Sequence, residues 1–290
     1  MLRNNIPECL SIIFIFASMK TRALTIISII LFAAISLISC GGNSAPDDPN
    51  HIRVGVQSGP EYEIAKVAKE VAKEQYGLEV ELVQFNDYVM PNEALQQGDI
   101  DANAFQNKPY LDVQAEQRGY NLAIVGNTFV YPLAGYSKKI KSLDELKDGS
   151  TIIIPNDRTN GGRALLLMED SGLLKLKAGV GLLPTLADIE ENPKNLEILE
   201  LEAPQLTRAL DDQNVTVAVI NNTFAAQIGL SAYRDGIFVE DKDSPYVNLI
   251  VSRQDNKDSE KVKNFVKAYQ SPEVEAAAEE QFQGGAIKGW

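Results

Sequence analysis

Two stretches of the sequence carry polar groups that could bind the charged ends of a small molecule. The first, Asn160-Gly-Gly-Arg163, follows the β-branched run Thr151–Ile154 and opens a helical pattern. Its glycines let backbone N–H groups approach an anion, the helix N-terminus adds partial positive charge, and Arg163 can hold a carboxylate through two hydrogen bonds. In the alternative interpretation Arg163 is a surface cation and the glycines form a tight turn. We predict a carboxylate site here, since the loop is expected to face a cleft.

The second stretch contains three aromatic residues, Tyr88, Phe105 and Tyr110. Aromatic residues at strand ends belong to a core more often than to a binding pocket. Here, however, they alternate with amides such as Asn107 and lie close to Pro109, where loops rather than buried strands are expected. An aromatic wall suits an apolar or sulfur-bearing group, because sulfur makes favourable contacts with ring edges.

Two further amides, Asn221 and Asn248, can accept hydrogen bonds from an ammonium group and donate to a carboxylate. Either residue could instead be an ordinary turn or cap residue. A carboxylate clamp, ammonium acceptors and an aromatic wall together describe a site for a zwitterionic amino acid with an apolar side chain.

Composition and motifs exclude several other functions. The chain has 27 basic and 40 acidic residues, a net charge of −13, which argues against a general nucleic-acid binder. One histidine, His51, and two cysteines, Cys9 and Cys40, argue against a zinc site and a disulfide framework. The GxSxG, HExxH, GxGxxG and CxxC motifs are all missing from the sequence. We therefore expect no catalytic residues, no metal and no cofactor.

The N-terminal segment is typical of an exported lipoprotein. Residues 19–39 form a basic and then apolar signal peptide whose end resembles a bacterial lipobox, which makes Cys40 the predicted lipidation site. An uncleaved membrane anchor is the alternative. Residues 40–50 are a short polar tether. Residues 1–18 precede a complete signal, so we interpret them as an extension upstream of a true start at Met19.

The body alternates short β-branched runs with helical patterns, which predicts α/β lobes with largely parallel sheets. Strands are predicted at 52–56, 78–83, 151–154 and 196–201, and helices at 61–75, 161–170, 259–269 and 273–282. The segments 94–107 and 209–222 share one order of features: a helix end, a polar turn, a short strand and an amide-bearing loop. This repetition predicts two similar lobes.

Two segments, 125–138 and 236–251, are predicted to cross between the lobes. Lobe 1 is then 51–127 plus 240–290, and lobe 2 is 128–239. Ligands of open α/β sheets bind beyond the carboxyl ends of the strands. That rule predicts that the candidate loops meet in one cleft.

Several runs resemble the methionine-binding lipoproteins of bacterial ABC importers over about residues 50–290 and at the lipobox. These runs are Phe85-Asn-Asp-Tyr-Val-Met-Pro-Asn-Glu-Ala94, Gly98-Asp-Ile-Asp-Ala-Asn-Ala-Phe-Gln106, Lys108-Pro-Tyr110, Val125-Gly-Asn-Thr-Phe-Val-Tyr-Pro132, Pro184-Thr185, Glu191-Asn-Pro-Lys-Asn195, Leu201-Glu-Ala-Pro-Gln-Leu206 and Ser244-Pro-Tyr-Val-Asn248.

The resemblance implies a two-lobed periplasmic-binding-protein fold, type II-like, with a ligand cleft between the lobes and two hinge crossings. It implies a monomer, lipid-anchored with its body in the periplasm or on the outer face of the cytoplasmic membrane. It also implies capture of L-methionine and delivery to the permease and ATPase of an importer. The implied ligand-binding residues are Tyr88, Phe105 and Tyr110 at the thioether, Asn160 and Arg163 at the carboxylate, Asn221 and Asn248 at the ligand's other polar groups, and Asn107.

The sequence departs from the family pattern at two places. Many members have His where this chain has Asn107, which can donate a hydrogen bond but cannot titrate near neutral pH. The run Arg158-Thr-Asn-Gly161 differs from the Pro-Thr-Asn-Leu form of the family. The alternatives are a methionine-containing dipeptide or another apolar amino acid as ligand, or a surface lipoprotein for adhesion or signalling.

Overall fold

The computed structural model describes residues 48–290. The predicted signal peptide, the lipidation site Cys40 and most of the tether lie outside the described residues.

The described part of the chain alternates strands and helices as the sequence predicts. The strands are β1 (His51–Gln57), β2 (Glu79–Phe85), β3 (Ala102–Asn107), β4 (Leu122–Val130), β5 (Ala134–Tyr136), β6 (Thr151–Pro155), β7 (Lys175–Leu176), β8 (Ile189–Glu191), β9 (Glu197–Leu201), β10 (Val215–Ile220), β11 (Phe238–Val239), β12 (Val247–Arg253) and β13 (Ile287–Lys288). The helices are α1 (Pro60–Tyr76), α2 (Met90–Gln97), α3 (Lys108–Arg118), α4 (Arg158–Asp170), α5 (Leu206–Ala209), α6 (Asn222–Gln227), α7 (Ala232–Asp235), α8 (Glu260–Tyr269) and α9 (Pro272–Phe282).

The strands form two main sheets and one small hairpin, β7–β8. The first sheet has the order β13-β4-β12-β3-β1-β2, and the second has the order β11-β5-β10-β6-β9. Strand β1 pairs in parallel with β2 and β3, and β6 pairs in parallel with β9 and β10, but the other pairings are antiparallel. The prediction of largely parallel sheets was therefore wrong, because the strands next to the two crossings run against their neighbours.

Helix α1 shows how local sequence specifies one element. Pro60 occupies its first turn, where the missing N–H costs nothing, and Gly77 ends it in the left-handed conformation with φ of 62°. Ile64, Ala68 and Val71 lie on one face at helical spacing and are buried in the core of the first sheet.

The chain passes between the two sheets twice, after β4 and after β11. These places fall within the segments predicted as crossings, and the boundaries of the two lobes stay a prediction. The two repeated segments occupy corresponding positions, because β3 and β10 each follow a helix, and β3 ends in the amide Asn107 while the amide Asn221 directly follows β10.

Within residues 48–290, no helix has both the length and the apolar character needed to cross a membrane.

Candidate functional site

A cavity lies where elements of both sheets meet. Its lining residues are Tyr88, Phe105, Gln106, Asn107, Tyr110, Tyr131, Asn160, Arg163, Asn221, Asn222, Thr223 and Asn248. All eight residues predicted as ligand-binding are among them. The structure thus brings these residues together, and their binding of a ligand stays a prediction.

Four lining residues, Gln106, Tyr131, Asn222 and Thr223, were not among those predicted as ligand-binding. Tyr131 lies just after β4 in the first crossing, and Thr223 lies in the first turn of α6. The sequence positions of Tyr131 and Thr223 could have indicated that they line the cavity. Tyr131 stands before Pro132 in a predicted crossing, and Thr223 directly follows the amide-bearing loop that ends at Asn222.

One wall of the cavity is aromatic. The Tyr88 and Phe105 rings stack with centroids 5.9 Å apart, and Tyr110 meets them edge-on at 6.0 and 6.1 Å. Phe224 packs behind Tyr88 at 5.0 Å. The Tyr110 hydroxyl donates to the Tyr88 carbonyl oxygen at 2.8 Å, which ties the Tyr110 ring to the backbone at Tyr88. This wall offers ring faces and edges to an apolar or thioether group.

A chain of amides supports Asn221. The Asn221 Nδ2 group donates to Asn160 Oδ1 at 2.8 Å, and Asn160 Nδ2 donates to both carboxylate oxygens of Asp157 at 3.1 and 2.9 Å. These contacts leave Asn221 Oδ1 buried without a hydrogen-bond partner among residues 48–290. Because a buried unpaired acceptor is costly, this oxygen is suited to a ligand donor such as an ammonium group.

The other two predicted amides are partly engaged. Asn107 caps helix α3, with its Oδ1 accepting from the backbone N–H of Tyr110 at 3.0 Å. Asn248 Nδ2 donates to the Phe105 carbonyl oxygen at 2.9 Å. Both residues therefore also help to position the segment 105–110, which carries Phe105 and Tyr110.

Arg163 is buried at the edge of the cavity with 4% of its surface exposed. Its Nε donates to Glu240 Oε1 at 2.8 Å, and its Nη2 donates to the Tyr131 carbonyl oxygen at 2.9 Å and to Glu240 Oε2. The guanidinium also lies over the Tyr246 ring, 4.3 Å from its centroid. Within the described residues no hydrogen bond uses Nη1, which remains able to donate to a ligand carboxylate.

The predicted anion site at the start of α4 was wrong in one respect. The Asp157 side chain caps this helix and accepts from the N–H groups of Thr159 and Asn160 at 3.2 and 2.9 Å, so an anion of the chain itself uses those donors. Gly161 instead permits close packing, since a Cβ there would lie 2.8 Å from the Pro155 carbonyl oxygen. Burial raises the pKa of Asp157, and the hydrogen bonds from Asn160 partly oppose that shift.

A buried carboxyl group lies behind the cavity wall. Glu61, in the first turn of α1, accepts a hydrogen bond from the Thr223 hydroxyl at 2.5 Å. Burial raises the pKa of Glu61 from 4.5 to about 7, and the Thr223 hydrogen bond offsets part of that effect.

Across residues 48–290, no three His, Cys, Asp or Glu side chains are arranged to hold a metal ion.

Comparison with known proteins gives one consistent result. A model of the NlpA lipoprotein family matches residues 52–290. The chain is 66% identical over 260 residues to the D-methionine-binding lipoprotein MetQ of Escherichia coli (strain K12), and the match covers 90% of this chain and 95% of that protein.

Solved structures agree. A crystal structure of the methionine-binding protein MetQ is 69% identical, with a TM-score of 0.83 over 84% of this chain and 99% of that one. The structure of a nutrient-binding protein from Burkholderia cenocepacia bound to methionine is 48% identical, with a TM-score of 0.80 over 82% of this chain and all of that one.

Proposed function

The chain belongs to the NlpA lipoprotein family, and from that premise we propose that it captures L-methionine and delivers it to an ABC importer. The observation that carries the proposal is the single cavity that gathers three complementary features. These are the unpaired acceptor on Asn221, the buried guanidinium of Arg163 and the wall of three aromatic rings.

The carboxylate of the ligand pairs with Arg163. The Nη1 group supplies two N–H donors, because the hydrogen bonds to Glu240 and Tyr131 use only Nε and Nη2. A hydrogen bond between ionised groups in a buried site is about twice as strong as one between neutral groups. Arg163 is therefore the principal anchor.

The ammonium of the ligand donates to Asn221 Oδ1. The orientation of that amide is fixed by its hydrogen bond to Asn160, which is itself held by Asp157. Satisfying this acceptor removes the penalty of an unpaired buried oxygen, so the amide favours a ligand with a donor at this position.

The thioether lies against Tyr88, Phe105 and Tyr110. Sulfur at a ring edge gains about 0.3–1.5 kcal/mol per contact, which favours methionine over a polar side chain of similar length. The hydrogen bond from the Tyr110 hydroxyl to the Tyr88 carbonyl oxygen helps to hold the Tyr110 ring in this wall.

The ligand also holds the two sheets together. Arg163 and Asn221 follow strands of the second sheet, whereas the aromatic wall belongs to elements of the first. A ligand that contacts both sides favours the arrangement in which they are close, and only its greater affinity for that arrangement can shift the equilibrium.

The protein acts at the cell envelope as a monomer. Lipid on Cys40 anchors it to a membrane, and the body lies in the periplasm or on the outer face of the cytoplasmic membrane. The permease and ATPase of the importer are its partners, and it performs no catalysis.

Identification of a co-purified ligand tests the proposal. Residues 41–290 are purified without added ligand and denatured, and the released small molecules are identified by mass spectrometry. The refolded protein is then titrated with L-methionine, D-methionine, a methionine-containing dipeptide and leucine. We expect near-stoichiometric methionine and tightest binding of L-methionine. If D-methionine, the dipeptide or leucine binds most tightly, that compound replaces L-methionine as the proposed ligand. If none of the four binds, the result would favour a role in adhesion or signalling.

Substitution of the anchor tests the site. Arg163→Ala leaves the ligand carboxylate unpaired and should weaken methionine binding by about 2–5 kcal/mol. The matched control is Arg158→Ala, because Arg158 is an exposed arginine on the same helix. Equal affinities of Arg163→Ala and the parent protein would exclude Arg163 as the carboxylate anchor.

A further inference from the structure

We propose that Glu240 is a positioning residue, which orients Arg163 so that its Nη1 faces the ligand carboxylate. The inference rests on the proposed function and adds to it the group that fixes the orientation of the Arg163 guanidinium.

Glu240 holds one edge of the guanidinium. Its Oε1 accepts from Arg163 Nε at 2.8 Å, and its Oε2 accepts from Arg163 Nη2. The second Nη2 donor is used by the Tyr131 carbonyl oxygen at 2.9 Å. Three of the five N–H donors are thus fixed, and geometry directs the remaining two, both on Nη1, away from Glu240.

Glu240 itself is fixed by the chain crossings. It follows β11 in the second crossing, and its Oε2 also accepts from the backbone N–H of Leu133 in the first crossing at 3.2 Å. The Tyr246 ring covers the face of the guanidinium. The plane of Arg163 is therefore defined by contacts with both crossings.

Glu240 is placed to act through Arg163 and not on the ligand. Arg163 lines both the cleft and a second cavity on the opposite side, whereas Glu240 and Tyr246 line only the second cavity. The guanidinium thus separates the Glu240 carboxylate from the ligand site.

The pair also explains how a charged Arg163 is retained in a buried position. Arg163 and Glu240 have only 4% and 12% of their side-chain surface exposed, and an unpaired buried charge would be strongly destabilising. The carboxylate pairs with the buried guanidinium and orders it before ligand arrives, which reduces the entropy lost on binding.

The variant Glu240→Asp separates geometry from charge. It keeps the negative charge but withdraws the carboxylate by about 1.5 Å, the length of one C–C bond. The guanidinium then turns, and L-methionine affinity should fall about 10- to 100-fold, as when the outer-shell partner of a metal ligand is removed. L-methioninol, which has a hydroxymethyl group in place of the carboxylate, should bind parent and variant within about threefold.

Calorimetric titration of both ligands into both proteins gives four affinities with separate meanings. Equal losses for methionine and methioninol in Glu240→Asp would assign Glu240 a general structural role and overturn the inference. If the parent protein binds the two ligands equally, the Arg163 carboxylate contact fails, and if it binds neither, the proposed function fails. These failures are therefore distinguishable.

The parent protein provides a second test that does not depend on substituting Glu240. In ligand-free protein the Nε–H of Arg163 should give a ¹⁵N–¹H signal protected from solvent exchange, assigned by its loss in Arg163→Lys. A rapidly exchanging signal like that of exposed arginines would show that Glu240 does not hold the guanidinium in advance.

Discussion

The Thr223 hydroxyl donates a 2.5 Å hydrogen bond to the carboxyl group of Glu61, joining helix α6 to helix α1. Helix α1 packs on the first sheet, and α6 follows β10 of the second. The two residues are 162 positions apart in the chain. A buried acid therefore lies at a contact between the parts of the fold that also enclose the cavity.

This contact makes stability depend on pH. The pKa of Glu61 is raised to about 7 from 4.5, so its stabilising contribution is fully present below pH 4.5 and is lost as the pH rises through 7. The ionisation of Glu61 therefore lowers the free energy of unfolding by about 3 kcal/mol at high pH. The facing groups Tyr88, Tyr131 and Tyr269 have pKa values raised by burial and stay neutral in this range.

The variant Glu61→Gln should remove that part of the pH dependence, because an amide still accepts from Thr223 but cannot ionise. We expect the melting temperature of the variant to exceed that of the parent at pH 8.5 and to match it near pH 5. Thermal melts at both pH values measure this. Glu63→Gln on the same helix is the control, and an unchanged difference between the two pH values in Glu61→Gln would contradict the assignment.

Local sequence determines much of this fold. Helix α1 was predicted at 61–75 and is observed at Pro60–Tyr76, because Pro60, an apolar face and Gly77 all act within the segment itself. Helix α4 begins at Arg158, earlier than the predicted 161, because Asp157 supplies a cap that the glycines obscured. Boundaries of this kind depend on a single side chain, so they are the less certain part of a prediction from pattern.

The supporting contacts of the site were not predictable in the same way. Arg163 and Glu240 are 77 residues apart, and nothing in the spacing of either residue indicates the other. Most of the candidate ligand residues could be predicted because they lie at or after the carboxyl ends of strands, which meet by a topological rule. Asn248 lies at the start of β12 instead, and the family resemblance was what favoured it. Their partners Glu240 and Glu61 meet them only through the packing of the whole chain.

Asn107 should contribute to stability as a helix cap. Asn107→Ala removes the acceptor for the Tyr110 N–H and should lower the free energy of unfolding by about 1 kcal/mol. Asn107→Ser, which keeps a capping oxygen, should lose less. Urea denaturation of the ligand-free proteins measures both, and equal losses in the two variants would mean that the cap contributes little.

Gly161 should be required for packing and not for anion binding. A Cβ at this position would lie 2.8 Å from the Pro155 carbonyl oxygen, which belongs to the backbone and cannot move freely. Gly161→Ala should therefore destabilise the protein by about 1–3 kcal/mol, despite the better helix propensity of alanine. Urea denaturation with and without saturating methionine measures this. A packing defect should lower the free energy of unfolding in both conditions. A loss of stability confined to the liganded protein would instead indicate a direct role of Gly161 in binding.

Asn221 should contribute to affinity through one atom. Its Oδ1 is buried and unpaired among the described residues, while its Nδ2 is held by Asn160. Asn221→Ala removes the acceptor for the ligand ammonium and should weaken L-methionine binding by about 1–3 kcal/mol. Asn214→Ala, at an exposed turn before β10, should bind like the parent.

A ligand without the ammonium separates this role from a general defect. The compound 4-(methylthio)butanoate is methionine lacking its amino group. Asn221→Ala should bind it at least as well as the parent, because this ligand cannot donate to Asn221 Oδ1 in the parent and the variant has no such oxygen to bury. Calorimetric titration of both ligands gives the comparison. If Asn221→Ala weakens both ligands equally, Asn221 shapes the cavity through Asn160 and does not contact the ammonium.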